Sequence, residues 1–189
     1  MSDYLWFERI AFFALGFEKE ILEEIGDMFV IRDEDTVILT YPKSGTNWLI
    51  ETVCLIQTKG NPKWIQAVPI WECSPWVETQ IKYQILINQE GPWLISSHLP
   101  FNLSPKSFFS SKGKMIYVIR NPRDVLVSDY FFFHKTILHT RAWLSMREMD
   151  NFLLLSYEDL KQDTRGTIEK VSDFLGKNLE KDELDLVLK

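Results

Sequence analysis

Three short segments hold residue types that could do chemistry at an anion. The first is Tyr41-Pro42-Lys43-Ser44-Gly45-Thr46-Asn47-Trp48. A β-branched apolar run leads into it and a helical pattern leaves it. Such a turn aims backbone N–H groups and a helix start at one spot, which suits a phosphate or sulfate. Lys43 adds a mobile full charge, Gly45 permits close backbone approach, and Ser44, Thr46 and Asn47 offer donors and a cap. It is not a Walker A loop, because G-x-x-x-x-G-K-[ST] is absent. The plain alternative is an ordinary strand–turn–helix with a surface lysine. The second segment runs from Arg120 to Ser128, RNPRDVLVS, and again follows an apolar run and opens a helix. Its Arg120 and Arg123 could hold a second anion, or could pair at the helix start with Asp124. The third is Ser96-Ser97-His98-Leu99-Pro100. A lone histidine is more often structural, but beside two anion sites His98 is read as a general base. His134 and His139 are given no role.

The elements that must position these residues alternate between strand and helix. Phe17, Ile21, Ile25 and Phe29 recur four apart and predict a helix. Thr36–Thr40 is apolar on both sides, as a buried parallel strand should be. Trp48–Thr58 reads as a helix. Strands are expected at Trp93–Ser97, Lys114–Ile119 and Asn151–Leu155, with a helix from about Arg123, where Pro122 suits the first turn. Helices are expected again at Thr167–Leu175 and Lys181–Leu188. The pattern predicts an α/β fold with a parallel sheet flanked by helices. Ligands of such sheets sit beyond the carboxyl ends of the strands, where all three segments fall. Between Phe133 and Trp143 the sequence matches neither period and is read as a junction.

Composition narrows the function classes. At 189 residues the chain is expected to form one domain, with a core large enough to need neither disulfides nor metal. Two cysteines and three histidines exclude a disulfide framework and leave little for a metal site. Residues 1–40 carry 3 bases and 10 acids, residues 148–189 carry 6 and 11, and residues 41–147 carry 12 and 6. A basic middle in an acidic chain argues against broad nucleic-acid binding and fits a small anion held centrally. No run approaches the ~18 apolar residues of a membrane span. Asp3 and Glu8 precede the apolar stretch Ile10–Phe17, and no small-x-small cleavage site follows it. That stretch is read as a packed N-terminal arm of a cytoplasmic protein, with no membrane partner.

Taken together, YPKSGTNWL, SSHLP, RNPRDVLVS and NFLLLSYEDLKQD resemble the cytosolic sulfotransferases. KWIQAVPIWE, SPWVE and PKSFFSSK make the hydroxysteroid (bile-salt) branch the nearest. The resemblance implies a P-loop-like sulfotransferase fold and the donor 3′-phosphoadenylyl sulfate (PAPS), with no metal. It implies that Lys43, Ser44, Gly45, Thr46, Asn47 and Trp48 hold the 5′-phosphosulfate side, with Trp48 also stacking on adenine. Arg120 and Ser128 would bind the 3′-phosphate and Tyr157 would lie at the adenine. His98 would be the base, Lys43 would share in catalysis, and Trp71 and Trp76 would line a pocket for a small apolar alcohol. Three departures from the family pattern stand out. A helical stretch is missing near 134–142. The C-terminal part with its Arg-Lys-Gly phosphate loop and dimer motif is not present, which leaves an incomplete single domain over 1–189 and the expectation of a monomer. Asp129 stands where a small residue is usual. The leading expectation is sulfonate transfer to a steroid, bile acid or similar alcohol. The alternative is a shortened, catalytically impaired or dead member with residual nucleotide binding. An unrelated P-loop kinase is disfavoured by the missing Walker A.

Overall fold

The structure is a computed structural model that describes residues 4–13, 16–128 and 136–188. A short antiparallel hairpin comes first, β1 (Tyr4–Phe7) and β2 (Ile10–Phe13), then α1 (Lys19–Met28) and β3 (Thr36–Thr40). Helices α2 (Thr46–Gln57), α3 (Lys63–Ala67), α4 (Ile70–Cys73) and α5 (Gln80–Asn88) precede β4 (Leu94–Ser97). The chain continues through β5 (Lys114–Ile119), α6 (Pro122–Ser128), α7 (Thr136–Trp143) and β6 (Phe152–Ser156). It closes with α8 (Tyr157–Gln162), α9 (Thr164–Leu175) and α10 (Lys181–Val187).

The main sheet is parallel, in the order β4-β3-β5-β6. Its apolar side chains divide between two cores with period two. Val37 and Leu39, Ile95, Met115 and Tyr117, and Phe152 face one core with α1, α5 and Trp143 of α7. Ile38, Leu94, Ile116 and Val118, and Leu153 and Leu155 face the other, with α2, α9 and α10. A strand covered on both faces has no place for a polar alternation, so TVILT and KMIYVI are continuous apolar runs. Each fully buried Leu or Ile contributes about 1.5–3 kcal/mol of transfer free energy. Asp35 ties the amino ends of β3 and β4 together. It is buried, and its carboxylate accepts from the N–H groups of Arg32 (2.9 Å) and Trp93 (2.7 Å).

Two expectations change. The Phe133–Trp143 segment, read as a junction, contains helix α7 from Thr136 onward. The N-terminal arm is a hairpin, and its Leu5, Phe7, Ile10 and Phe12 pack on the first core. Asp129 and His134 lie outside the described residues. No described helix is long and apolar enough to cross a membrane.

Candidate active site

The carboxyl ends of the four parallel strands meet at one edge, and the singled-out segments leave from them. After β3 the chain turns through Tyr41–Gly45 into α2. Ser44 N–H donates to Tyr41 O (3.2 Å), and Lys43 and Gly45 adopt positive φ of 67° and 108°. At Gly45 the reason is visible. A Cβ there would lie 2.6 Å from Cδ2 of Tyr157, too close for any real contact. Tyr157 arrives from the far edge of the sheet, because Ser156 ends β6 and also caps α8, with its hydroxyl accepting from Asp159 N–H. Ser44 and Thr46 are buried, Lys43 and Asn47 are exposed, and Trp48 is half-buried. The Lys43 ammonium has no partner among the described residues.

Arg120, just after β5, ties the ends of β5 and β6 to this turn. Its Nη1 donates to Lys43 O at 2.7 Å, and its guanidinium lies 4.5 Å from the centre of the Tyr157 ring. Neither Arg120 nor Arg123 forms an ion pair with Asp124. The carboxylate at this corner is Glu158, which accepts from Asn121 N–H (2.9 Å) and Ser156 Oγ–H (3.1 Å). Burial pushes its carboxyl up, but these hydrogen bonds and Arg120 outweigh burial and hold it below the usual range. Ser128 is exposed at the last turn of α6.

His98 follows β4 and leans on β3. Its Nδ1 lies 3.0 Å from Thr40 O and 3.1 Å from Thr40 Oγ1, and Thr40 Oγ1 lies 2.7 Å from Thr46 Oγ1. A backbone carbonyl only accepts, so Nδ1 carries the proton and Nε2 keeps its lone pair. Burial also depresses the His98 pKa, which favours the neutral ring. The histidine is therefore set up as a proton acceptor at neutral pH. Residues 74–78 run beside β4, with Ser96 N–H donating to Pro75 O (2.9 Å) and Val77 N–H to Ser96 O (3.1 Å). This brings the Trp76 ring 5.8 Å from the His98 ring, while Trp71 stays 54 % exposed on α4.

Two residues that the sequence reading passed over stand behind His98. Glu78 is buried, and its Oε1 accepts from His98 N–H at 2.7 Å, while Oε2 has no partner. Burial raises its carboxyl to about 7. His139 bridges from α7. Its Nδ1 lies 3.0 Å from the Tyr117 hydroxyl and its Nε2 lies 3.2 Å from Leu99 O, which also accepts from Trp143 Nε1–H at 3.3 Å. Burial lowers His139 to about 4. A carboxylate set directly after Trp-Val, and a histidine four residues before a tryptophan, were the available signals. Cys54 and Cys73 are both buried thiols, and no described cluster of His, Cys, Asp or Glu is placed to hold a metal ion.

A base with its tautomer held, beside a donor-rich turn and an arginine, is the equipment for transfer of an anionic group to a hydroxyl. Comparison with known proteins decides the family. The model described as Sulfotransferase domain matches residues 33–140 and 133–189. This chain belongs to the sulfotransferase family. It is 61 % identical to mouse Sulfotransferase 2A1 over 215 aligned positions, covering all of this chain and 75 % of that protein. Human Sulfotransferase 2A1 is 57 % identical over 214 positions, again covering all of this chain and 75 % of the relative. These relatives are longer, and this sulfotransferase chain spans about three quarters of their length. The two matched parts of the family model overlap at 133–140, a stretch that takes in the first residues of α7. The crystal structure of mouse sulfotransferase SULT7A1, solved in complex with PAP, superposes with a TM-score of 0.80. That match is 23 % identical and covers 98 % of this chain and 73 % of the other, so it shows the shared fold.

Proposed function

We propose that this sulfotransferase moves the sulfonate group of PAPS to the hydroxyl of a steroid, bile acid or similar apolar alcohol. The observation that carries the reading is the convergence of Lys43, His98, Arg120 and Tyr157 from four separate strand ends at one edge of the sheet. The donor set suits a nucleotide with two anionic ends. Lys43, Ser44, Gly45, Thr46 and Asn47 serve the 5′-phosphosulfate, and Arg120 with Ser128 serves the 3′-phosphate. Trp48 and Tyr157 serve the adenine, and Trp76 and Trp71 line the acceptor pocket. Trp76, beside His98, is the better placed of the two.

The chemistry follows from those placements. The acceptor O–H loses its proton to His98 Nε2 as its oxygen attacks sulfur. The bond from sulfur to the bridging phosphate oxygen breaks, and negative charge collects on the leaving phosphate. Lys43 and the N–H groups of the turn face that charge and stabilise it. An apolar acceptor with one hydroxyl is matched by aromatic walls and a single base.

A second reading draws on the two-part family match at 133–140: a member that binds nucleotide but transfers slowly. Labelled PAPS and a steroid alcohol separate the readings, with equilibrium binding of the desulfated product, 3′-phosphoadenosine 5′-phosphate, measured alongside. Transfer that disappears in His98→Ala is expected. Binding without transfer selects the second reading, and no binding of the product overturns both.

A further inference from the structure

We infer that Arg141 supplies a second guanidinium to the nucleotide's 3′-phosphate, facing Arg120 across a shared cavity. The inference rests on the proposed PAPS reading and adds to it a residue outside the four sulfotransferase-like segments. The cavity, about 670 Å³, opens beyond the carboxyl end of β5. Arg120 and Asn121 lie on its strand side, and Arg141, Leu144, Ser145 and Arg147 on its helix side. Residues 141, 144 and 145 are three and four apart, so one face from the end of α7 forms that wall.

The charges of this cavity are unequally engaged. Arg147 is satisfied locally, with Nε 3.0 Å from Glu148 Oε1 and Nη1 donating to Leu144 O at 3.4 Å. Glu158, the carboxylate on the lining, accepts from Asn121 and Ser156, and Arg120 lies close enough to lower its pKa. Arg120 spends Nη1 on Lys43 O, but its Nε is buried with no hydrogen-bond partner. Arg141 has no hydrogen bond or ion pair to any described residue. Two guanidiniums with unused donors therefore share one cavity with a single carboxylate, which itself is held by two other donors. A doubly charged phosphate monoester is the ligand this donor set fits, since each guanidinium can give it charge-assisted hydrogen bonds.

Arg141 is also held in place. The residues two before and two after it, His139 and Trp143, are anchored to Tyr117 and Leu99 in the first core. The backbone carrying Arg141 is thus fixed to β5, the strand that carries Arg120, and the pair is set by the fold.

The test compares 3′-phosphoadenosine 5′-phosphate with adenosine 5′-phosphate, which lacks only the 3′-phosphate, by calorimetry on the 189-residue chain. The parent should prefer the first. Arg141→Ala should cut that preference roughly 10- to 100-fold, leaving adenosine 5′-phosphate affinity unchanged, and Arg141→Lys should restore part of it. Because Arg141 is exposed, unchanged thermal melting is expected for both variants. If the parent discriminates and Arg141→Ala discriminates equally well, Arg141 is idle and the inference fails while the PAPS reading stands. If the parent binds both nucleotides alike, the inference and the 3′-phosphate part of the PAPS reading fail together.

Discussion

At Gly45 the backbone conformation and the neighbouring side chain both demand the same residue. A φ of 108° is hard for any side chain to adopt, and a Cβ would strike the Tyr157 ring at 2.6 Å. Gly45→Ala should therefore destabilise the fold by about 1–3 kcal/mol and push Tyr157 away from the turn. Denaturant unfolding reads the first effect and nucleotide affinity the second. An alanine variant with parental stability and affinity would show that the turn is free to relax. On the proposed function, Lys43 and His98 separate binding from chemistry. Lys43→Ala removes the full charge of the turn, so both nucleotide affinity and transfer should fall. His98→Ala should keep affinity close to the parent's and lower turnover by about 10²–10⁴-fold. Equal losses of affinity and rate in His98→Ala would make it a binding residue. The pH profile carries a sign as well. With His98 as the proposed base, the neutral ring is the working form and burial favours it, so the rate should rise through an inflection below the ordinary histidine value of about 6.5 and be flat at neutrality.

Helix α7 shows why one element could not be read from periodicity. Leu138 is 68 % exposed while His139, next to it, is buried. The apolar residue faces out and the polar one faces in, which inverts the pattern on which sequence reading depends. His139 is tolerated inside because both ring nitrogens find partners 22 and 40 residues away in sequence, contacts that no local pattern encodes. The arrangement has a consequence for stability. The folded His139 protonates only near pH 4, against about 6.5 for a free ring, so the unfolded chain binds more protons between those values. Its contribution is complete above 6.5 and is lost as the pH falls through 4, about 3 kcal/mol in all. Glu78 acts with the opposite sign. Its raised pKa, about 7, adds stability at acid pH that is lost as the pH rises through that value. His139→Phe should therefore be less stable than the parent at pH 7, with Tyr117 left short of a partner, and its stability should fall less steeply between pH 6.5 and 4. Denaturation midpoints across that range measure the difference, and an unchanged acid slope would show that His139 does not carry the dependence.

Across the whole molecule, legibility follows burial. The strands of the parallel sheet were readable because both faces are covered, which leaves Val37–Leu39 and Met115–Val118 apolar without a break. Helix α5 was not, since Ile81 and Ile87 point outward and blur its face. The turn at Lys43–Thr46, Arg120 and His98 were legible because each directly follows a readable strand. Glu78 and the His139 bridge were not, because their meaning lies in contacts made after the sheet has formed. The parallel topology has a further consequence, for synthesis. Each strand end in the site belongs to a separate passage of the chain, and the last wall, Tyr157 against Gly45, joins residues that follow β6 and β3, strands on opposite sides of β5. On a ribosome, the turn at Lys43–Gly45 emerges early and stays without Tyr157 until the strand that leads to Tyr157 has been made and paired. On the proposed function, nucleotide binding by the growing chain thus waits until residue 157 has emerged, however early the turn at Lys43 is made.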